Sequence, residues 1–251
     1  MKKIEMHCHI LPGIDDGAED MKQSLQMLRI AMEHEIVGAI VTPHGSARDA
    51  SRERAEKIRR LCRVFRAEAE CRLDVIFPIF PGQEILYSSE VRHYLDEGKL
   101  LTMADTRYVL LEFMPATPYS AIFGAVREMR MGGYVPILAH VERYNTLREG
   151  DRLSELIESG AKIQMNYSSV GGSWHSRTTK WCRRQLEEQN VHFLSTDMHD
   201  PVHRKPDTEA AEKWMQKHLE PEYIRMLVQG SARAILEEKR RKNKNRNKIK
   251  N

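Results

Sequence analysis

An α/β barrel of seven strand–helix units, folded as one domain, is the architecture this chain predicts, and three observations predict it. Short apolar, β-rich runs recur seven times along the length, and segments of helical pattern separate them. No Gly-rich dinucleotide loop follows the first run, which argues for a barrel over an open doubly wound sheet. In order, the runs are Ile4–His9, Val37–Thr42, Leu73–Pro78, Tyr108–Phe113, Tyr134–Ala139, Ala161–Asn166 and Val191–Thr196. Behind the first of them Met21, Leu25, Leu28 and Met32 fall on one face at helical spacing, the pattern of a helix laid against the sheet. Neither an internal repeat nor a Gly/Ser/Pro-rich linker interrupts the series, so residues 1–238 read as one barrel domain and 239–251 as a basic, flexible tail.

The composition is compatible with that reading. A chain of 251 residues, 41% of them hydrophobic, is long enough for one sizeable core. No apolar run approaches the ~20 residues of a membrane-spanning helix, and the opening MKKIEMHCHI has two lysines with no apolar stretch behind them. Cys8, Cys62, Cys71 and Cys182 include no CxxC pair, so a reduced, cytoplasmic protein is expected. The formal charge of +4 conceals two regions. Eight basic residues (Lys239, Arg240, Arg241, Lys242, Lys244, Arg246, Lys248, Lys250) crowd the end with no acid among them. Removing these 8 from 40 leaves 32 basic against 36 acidic residues, so the body carries −4.

The polar residues at the C-terminal ends of the runs carry the chemistry. They are His7 and His9, then His44, Glu84, Glu112, His140, Asn166, and Asp197 with His199. In a (β/α) barrel those ends converge on one mouth, which makes neighbours of residues far apart in sequence. His7 and His9, at i and i+2 on a strand, point to one face and can grip one metal ion, while Cys8 points the other way into the core. Any one of these histidines, taken alone, is more simply an ordinary polar residue near a strand end. Five of the eleven histidines in five such positions favour a metal site; His34, His93, His175, His192, His203 and His218 fit no pattern. Among the carboxylates, Asp15, Asp16 or Asp20 can cap the helix that follows. Glu112 ends an apolar run, where a carboxylate is costly to bury without a compensating partner. Imidazole and carboxylate without thiolate suit Zn, Mn, Fe or Co. Arg143 and Arg204 follow ligand candidates closely, and their guanidinium forks match phosphate oxygens.

Competing chemistries fail on inspection. A cysteine-based phosphatase loop needs an Arg six residues after the Cys, and that position holds Ile14, Glu68, Phe77 or Glu188. Neither GxxxxGK[ST] nor G-x-S-x-G is present.

At these residues the sequence resembles the polymerase and histidinol phosphatase (PHP) superfamily, and within it the PHP-type protein-tyrosine phosphatases of Gram-positive capsule and exopolysaccharide clusters. The resemblance runs from His7 to about Arg233 and is carried by His7-Cys8-His9-Ile10-Leu11-Pro12-Gly13-Ile14-Asp15-Asp16-Gly17, Ala39–His44, Gly82-Gln83-Glu84, Ile137–Tyr144 and Ser195–His199. It implies a distorted (β/α)7 TIM-like barrel of the PHP type carrying three divalent ions, manganese by preference, with zinc, iron or cobalt as alternatives. By that resemblance, one ion is held by His7, His9, Glu84 and Asp197. Glu84 bridges to a second, held also by Glu112 and His140. Asp16, His44 and His199 take a third, with Asp15 a weaker alternative to Asp16. Arg143 and Arg204 match phosphate-holding positions, and so are the catalytic and substrate-binding arginines.

The implied activity is a hydrolase of the protein-tyrosine-phosphatase type, in which metal-bound hydroxide attacks phosphotyrosine directly and no phosphoenzyme forms. Its implied partner is the tyrosine-rich tail of a bacterial tyrosine kinase that regulates capsule or exopolysaccharide synthesis. Two other readings compete. One is a PHP phosphatase for a small metabolite such as histidinol phosphate; the other is a non-catalytic metal-binding regulator of a kinase. The basic tail is read first as a solvated end. The sharper reading has it draw a cytoplasmic enzyme to anionic lipid at the inner membrane face, each basic residue adding ~1 kcal/mol. No nucleic-acid partner is expected, because the acidic body offers no extended basic groove.

Overall fold

The computed structural model describes residues 1–249, with side chains through 241. Its strands are β1 (Lys3–Glu5), β2 (Ile36–Val41), β3 (His44–Gly45), β4 (Ile79–Pro81), β5 (Glu84–Leu86), β6 (Tyr108–Glu112), β7 (Val135–Leu138), β8 (Lys162–Asn166) and β9 (Phe193–Ser195). Every pairing is parallel, in the orders β1-β2-β4 and β3-β5-β6-β7-β8-β9. Two staves are broken in the middle, and this is the distortion. Thr42-Pro43 separates β2 from β3, where Pro43 has no N–H for a ladder bond. Gly82-Gln83 separates β4 from β5; a Cβ on Gly82 would lie 3.2 Å from Val41 O and 3.1 Å from Met103 Sδ, so the backbones approach closely there. Counting each broken pair once gives the seven staves that the sequence predicts.

The barrel closes where the chain leaves β1 and β9. His9 N–H donates to Met198 O (2.9 Å), Asp197 N–H donates to His7 O (3.0 Å), and Cys8 bridges Met198 in parallel sense. The first strand is shorter than Ile4–His9 because the buried Glu5 carboxylate takes the N–H groups of Met6 and His7 (both 2.9 Å). Those donors are then lost to a ladder.

The run Leu73–Pro78 is not a strand. The helix Arg52–Leu73 absorbs its start and stops at Asp74, whose left-handed backbone (φ 54) donates its N–H to Glu70 O. Ile76 is 88% exposed, Phe77 is the buried anchor of the connection, and the strand begins only beyond Pro78, at Ile79. An apolar count alone does not register such a helix stop. In the first helix, Met21–Glu33, Leu25 and Leu28 are buried as the spacing predicts, and Asp20 is the N-cap, accepting from Gln23 N–H at 2.8 Å.

Below the mouth the barrel is filled by Met6, Ile40, Leu110, Ile137 and Phe193, and Ala232 and Ile235 of the helix Ser231–Ile249 join that cluster. Fully burying a side chain such as Ile235 contributes roughly 1.5–3 kcal/mol. The predicted boundary at 238/239 falls inside this helix: Glu238 pairs with Arg107, and Lys239 sits on Asp105 (3.2 Å) and the Phe80 ring. The tail's side chains from Lys242 onward, and residues 250 and 251 entirely, lie outside the described residues. Among the described residues no helix is long and apolar enough to cross a membrane.

Candidate metal centre

Side chains from all around the barrel meet at the C-terminal ends of its strands. The extended backbone at His7–His9 aims both imidazoles inward, with their Nε2 atoms 3.4 Å apart, and Cys8 outward into the core. Glu84, the first residue of β5, is 1% exposed and lies between them. Its Oε2 is 3.2 Å from His7 Nε2, 3.3 Å from His9 Nε2 and 3.2 Å from His44 Nδ1, and its Oε1 is 2.7 Å from His140 Nε2. Asp197 Oδ1 closes the set at 3.4 Å from His7 and 3.5 Å from His9. His140 and Asp197 both take left-handed backbone (φ 32 and 53), rare outside Gly, which turns their side chains over the barrel mouth.

Two flanking groups share members with this set. Glu112 Oε1, at the end of β6, is 3.5 Å from His140 Nε2. On the open side, Asp16 Oδ1 is 3.2 Å from His44 Nε2 and 3.6 Å from His199 Nε2. His7, His9, Glu84 and Asp197 thus form one group with metal-ligating geometry, His9, Asp16, His44 and His199 a second, and His44, Glu84 and Glu112 a third. Asp15 has a separate position. It is buried, its Oδ2 accepts from His9 Nδ1 (2.7 Å) and His44 N–H (3.0 Å), and its Oδ1 accepts from Gly17 N–H (3.1 Å).

The donor chemistry fits divalent cations. His9 Nδ1 faces the Asp15 carboxylate and His7 Nδ1 faces Gln164 Oε1, so in the neutral rings those nitrogens carry the hydrogens. Both Nε2 lone pairs then face carboxylate oxygens and each other, an arrangement that repels unless positive charge lies between them. Protons can supply it. Burial pushes the His7 imidazole down, but the charges of Glu84 and Asp197 outweigh burial and raise it to about 10. For His44, burial is likewise outweighed by the Glu84 bond and charge, which raise it to about 9. Burial raises the Glu84 carboxyl, yet His7, His140 and His44 hold it well below its ordinary range. A divalent ion supplies the same charge without protons.

Arg143 and Arg204 converge on the outer oxygen of Asp197, their Nη2 atoms 2.6 and 2.8 Å from Oδ2. They are 40% and 42% exposed, so both forks reach the open side, where Arg143 Nη1 also lies 3.8 Å from Glu112 Oε1. Sequence reasoning missed Glu5, which fixes the His7 backbone, and gave Asn166 a place without a role and Gln164 none. The missed signal for the amides was a polar pair at i, i+2 alternating with the apolar Ile163 and Met165.

Gly17 shows how tightly the Asp15-Asp16 loop is folded back: a Cβ there would lie 2.0 Å from His9 O and 2.5 Å from His9 Cβ. Gly17→Ala is therefore expected to displace the loop at a cost of about 1–3 kcal/mol and to weaken Mn2+ binding. Thermal melting and a metal titration check both effects, and wild-type Mn2+ affinity in the variant would refute the coupling.

A parallel α/β barrel with imidazole and carboxylate groups gathered at its mouth, beside two converging arginines, defines the class of metal-dependent hydrolases. Within that class the chain belongs to the CpsB/CapC family of capsular polysaccharide synthesis, whose family model matches residues 3–237. Tyrosine-protein phosphatase YwqE of Bacillus subtilis (strain 168) is 31% identical over 239 residues, 91% of this chain and 89% of that protein. Tyrosine-protein phosphatase CpsB of Streptococcus agalactiae serotype III (strain NEM316) is 30% identical over 240 residues, 93% and 98% of the two chains. Among solved structures, one from a study of Bacillus subtilis YwqE and Streptococcus pneumoniae CpsB, described as unique metal-dependent tyrosine phosphatases, superposes with a TM-score of 0.82. It is 29% identical and covers 94% of each chain. The resemblance seen in the motifs is thus the family found, and the expected PHP-type barrel is the fold found.

Proposed function

We propose that this chain is a metal-dependent protein-tyrosine phosphatase that hydrolyses phosphotyrosine on the tail of a bacterial tyrosine kinase governing capsule or exopolysaccharide synthesis. The observation that carries the hydrolytic part is the pair of His7 and His9 lone pairs aimed at Glu84 and Asp197, with two arginine forks at the far oxygen of Asp197. The phosphotyrosine part is supported by the relatives, which are named tyrosine-protein phosphatases.

The proposed ligand sets are His7, His9, Glu84 and Asp197 for one ion; Glu84, Glu112 and His140 for a second; and Asp16, His44 and His199 for a third, with manganese the preferred metal. When bound, such ions supply Lewis-acid charge to the phosphoryl group and acidify water at neutral pH. Arg143 and Arg204 grip the phosphoryl oxygens with the donors that Asp197 leaves free, and so hold phosphorus over the cluster. Tyrosine departs as a phenolate with a solution pKa of ~10, which leaves with less help than an alkoxide would need. Its place of action is the cytoplasm, where such a kinase tail is presented.

Chelation is expected to abolish hydrolysis of a phosphotyrosine peptide, and Mn2+ to restore it further than Zn2+, Co2+ or Mg2+. Restored turnover of histidinol phosphate in preference to the peptide would replace the tyrosine reading with a metabolite phosphatase. Activity indifferent to chelation would overturn the metal reading as well.

A further inference from the structure

The ligand sets leave unexplained a line of buried amides on β8. Gln164 is fully buried and Asn166 6% exposed, and they point inward together while Ile163 and Met165 pack into the outer core. The backbone N–H of His140 lies 2.7 Å from Gln164 Oε1. A backbone N–H only donates, so that atom is the carbonyl oxygen and the orientation of the Gln164 amide is fixed. His7 Nδ1, 3.1 Å from the same oxygen, must therefore carry its hydrogen, which leaves the Nε2 lone pair toward Glu84 and Asp197. At the other end of the amide, Gln164 Nε2 donates to Asn166 Oδ1 (2.8 Å), so Asn166 in turn presents its NH2 to Asp197 Oδ2 (3.0 Å). Asn166 is itself pinned by its backbone N–H, which donates to Glu142 Oε1 (2.9 Å).

We infer that Gln164 and Asn166 are positioning residues: a buried amide chain of fixed polarity, started by the His140 backbone N–H, that sets the His7 tautomer and occupies the outer oxygen of Asp197. Each link admits one direction. Turning the Gln164 amide over would set NH2 against the His140 backbone N–H, and turning Asn166 would set oxygen against the Asp197 carboxylate. The chain crosses from β7 over β8 to β9, so ligand candidates from three staves share one orientation. It also separates the two oxygens of Asp197, Oδ2 taking Asn166, Arg143 and Arg204 while Oδ1 faces His7, His9 and His199. Such outer partners fix ring orientation and raise ligand basicity.

The inference rests on the metal-dependent reading, and the test separates the two. Mn2+ affinity is measured for wild type, Gln164→Met and Gln164→Glu, and the His7 imidazole N–H is followed by 15N–1H NMR in the Zn2+-loaded proteins. Gln164→Met keeps the length and removes the acceptor; it is expected to weaken Mn2+ binding about 10–100-fold and to shift the His7 Nδ1–H resonance out of its hydrogen-bonded range. Gln164→Glu keeps an acceptor for His7 but sets an oxygen where the Gln164 NH2 donates to Asn166, so it is expected to restore that resonance while the Mn2+ affinity stays reduced. A purely structural role would lower the metal-free melting temperature and leave the affinity of the folded protein and the His7 signal unmoved. Should Gln164→Met not fold, Asn166→Ala carries the test, with weakened Mn2+ binding and a retained His7 signal expected. Folded variants with wild-type Mn2+ affinity overturn the inference alone; wild type that binds neither Mn2+ nor Zn2+ overturns the metal reading and the inference with it.

Discussion

Glu84→Gln is expected to lower phosphotyrosine hydrolysis by about 10^3-fold or more and to cost the protein at least one bound ion. The carboxylate lies within 3.3 Å of four imidazole nitrogens, from His7, His9, His44 and His140, and so touches both sides of the cluster. Glutamine keeps the shape and removes the charge, and its NH2 must point at ring nitrogens on one side or the other. A loss of several kcal/mol of charge stabilisation in the transition state corresponds to the rate change named. The fold is expected to survive, because the substitution is isosteric and the metal-free pocket loses a buried charge. Metal analysis, peptide kinetics and a melting curve test the three statements separately. Full metal content and wild-type turnover in the Glu84→Gln variant would remove this carboxylate from the centre of the site.

The arginines give the second large effect. Arg143→Ala and Arg204→Ala are each expected to reduce kcat/KM for a phosphotyrosine peptide about 10^2-fold, the scale of losing one preorganised donor to a charged transition state. The double variant should lose less than the product of the two. Both guanidinium groups rest on Asp197 Oδ2, so removing one frees the other to move and spoils its aim. Lysine in either place should recover little, since an ammonium cannot hold the carboxylate and the phosphoryl oxygens with one planar fork. Competition by inorganic phosphate gives a second reading of the same site. Unchanged phosphate inhibition in both alanine variants would dismiss the arginines as the phosphate grip.

The residues that gather at the mouth were legible because barrel topology turns strand ends into neighbours, and the sequence shows most of them as a recurrence: His7, His44, Glu112, His140 and Asp197 fall at or just beyond the end of an apolar run, while Glu84 lies farther from its own. What was not legible depends on direction in space. Asp15 and Asp16 are adjacent and chemically identical; only the fold turns Asp15 inward to His9 and His44 and leaves Asp16 facing His199 across the open side. Gln164 and Asn166 are ordinary amides until the His140 N–H sets their polarity. The third stave was misplaced because Val75-Ile76-Phe77 has the composition of a strand, while the Asp74 helix stop and Pro78 decide where a strand can start. Charge marks a change of composition at Lys239, whereas the helix Ser231–Ile249, anchored by the apolar contacts of Ala232 and Ile235, runs across that position.

The seam of the barrel and the cluster at its mouth share His7, His9 and Asp197. His7–His9 meet Asp197 and Met198 across the closure, and Glu5 reaches Thr196, 191 positions away along the chain. Closing a loop of that length costs chain entropy that a local contact does not. The cluster is therefore complete only when the barrel is closed. A barrel open at the seam would offer His7 and His9 without Asp197 and His199, fewer donors than the closed barrel gathers. An ion held by His7, His9 and Asp197 would tie the first strand to the last.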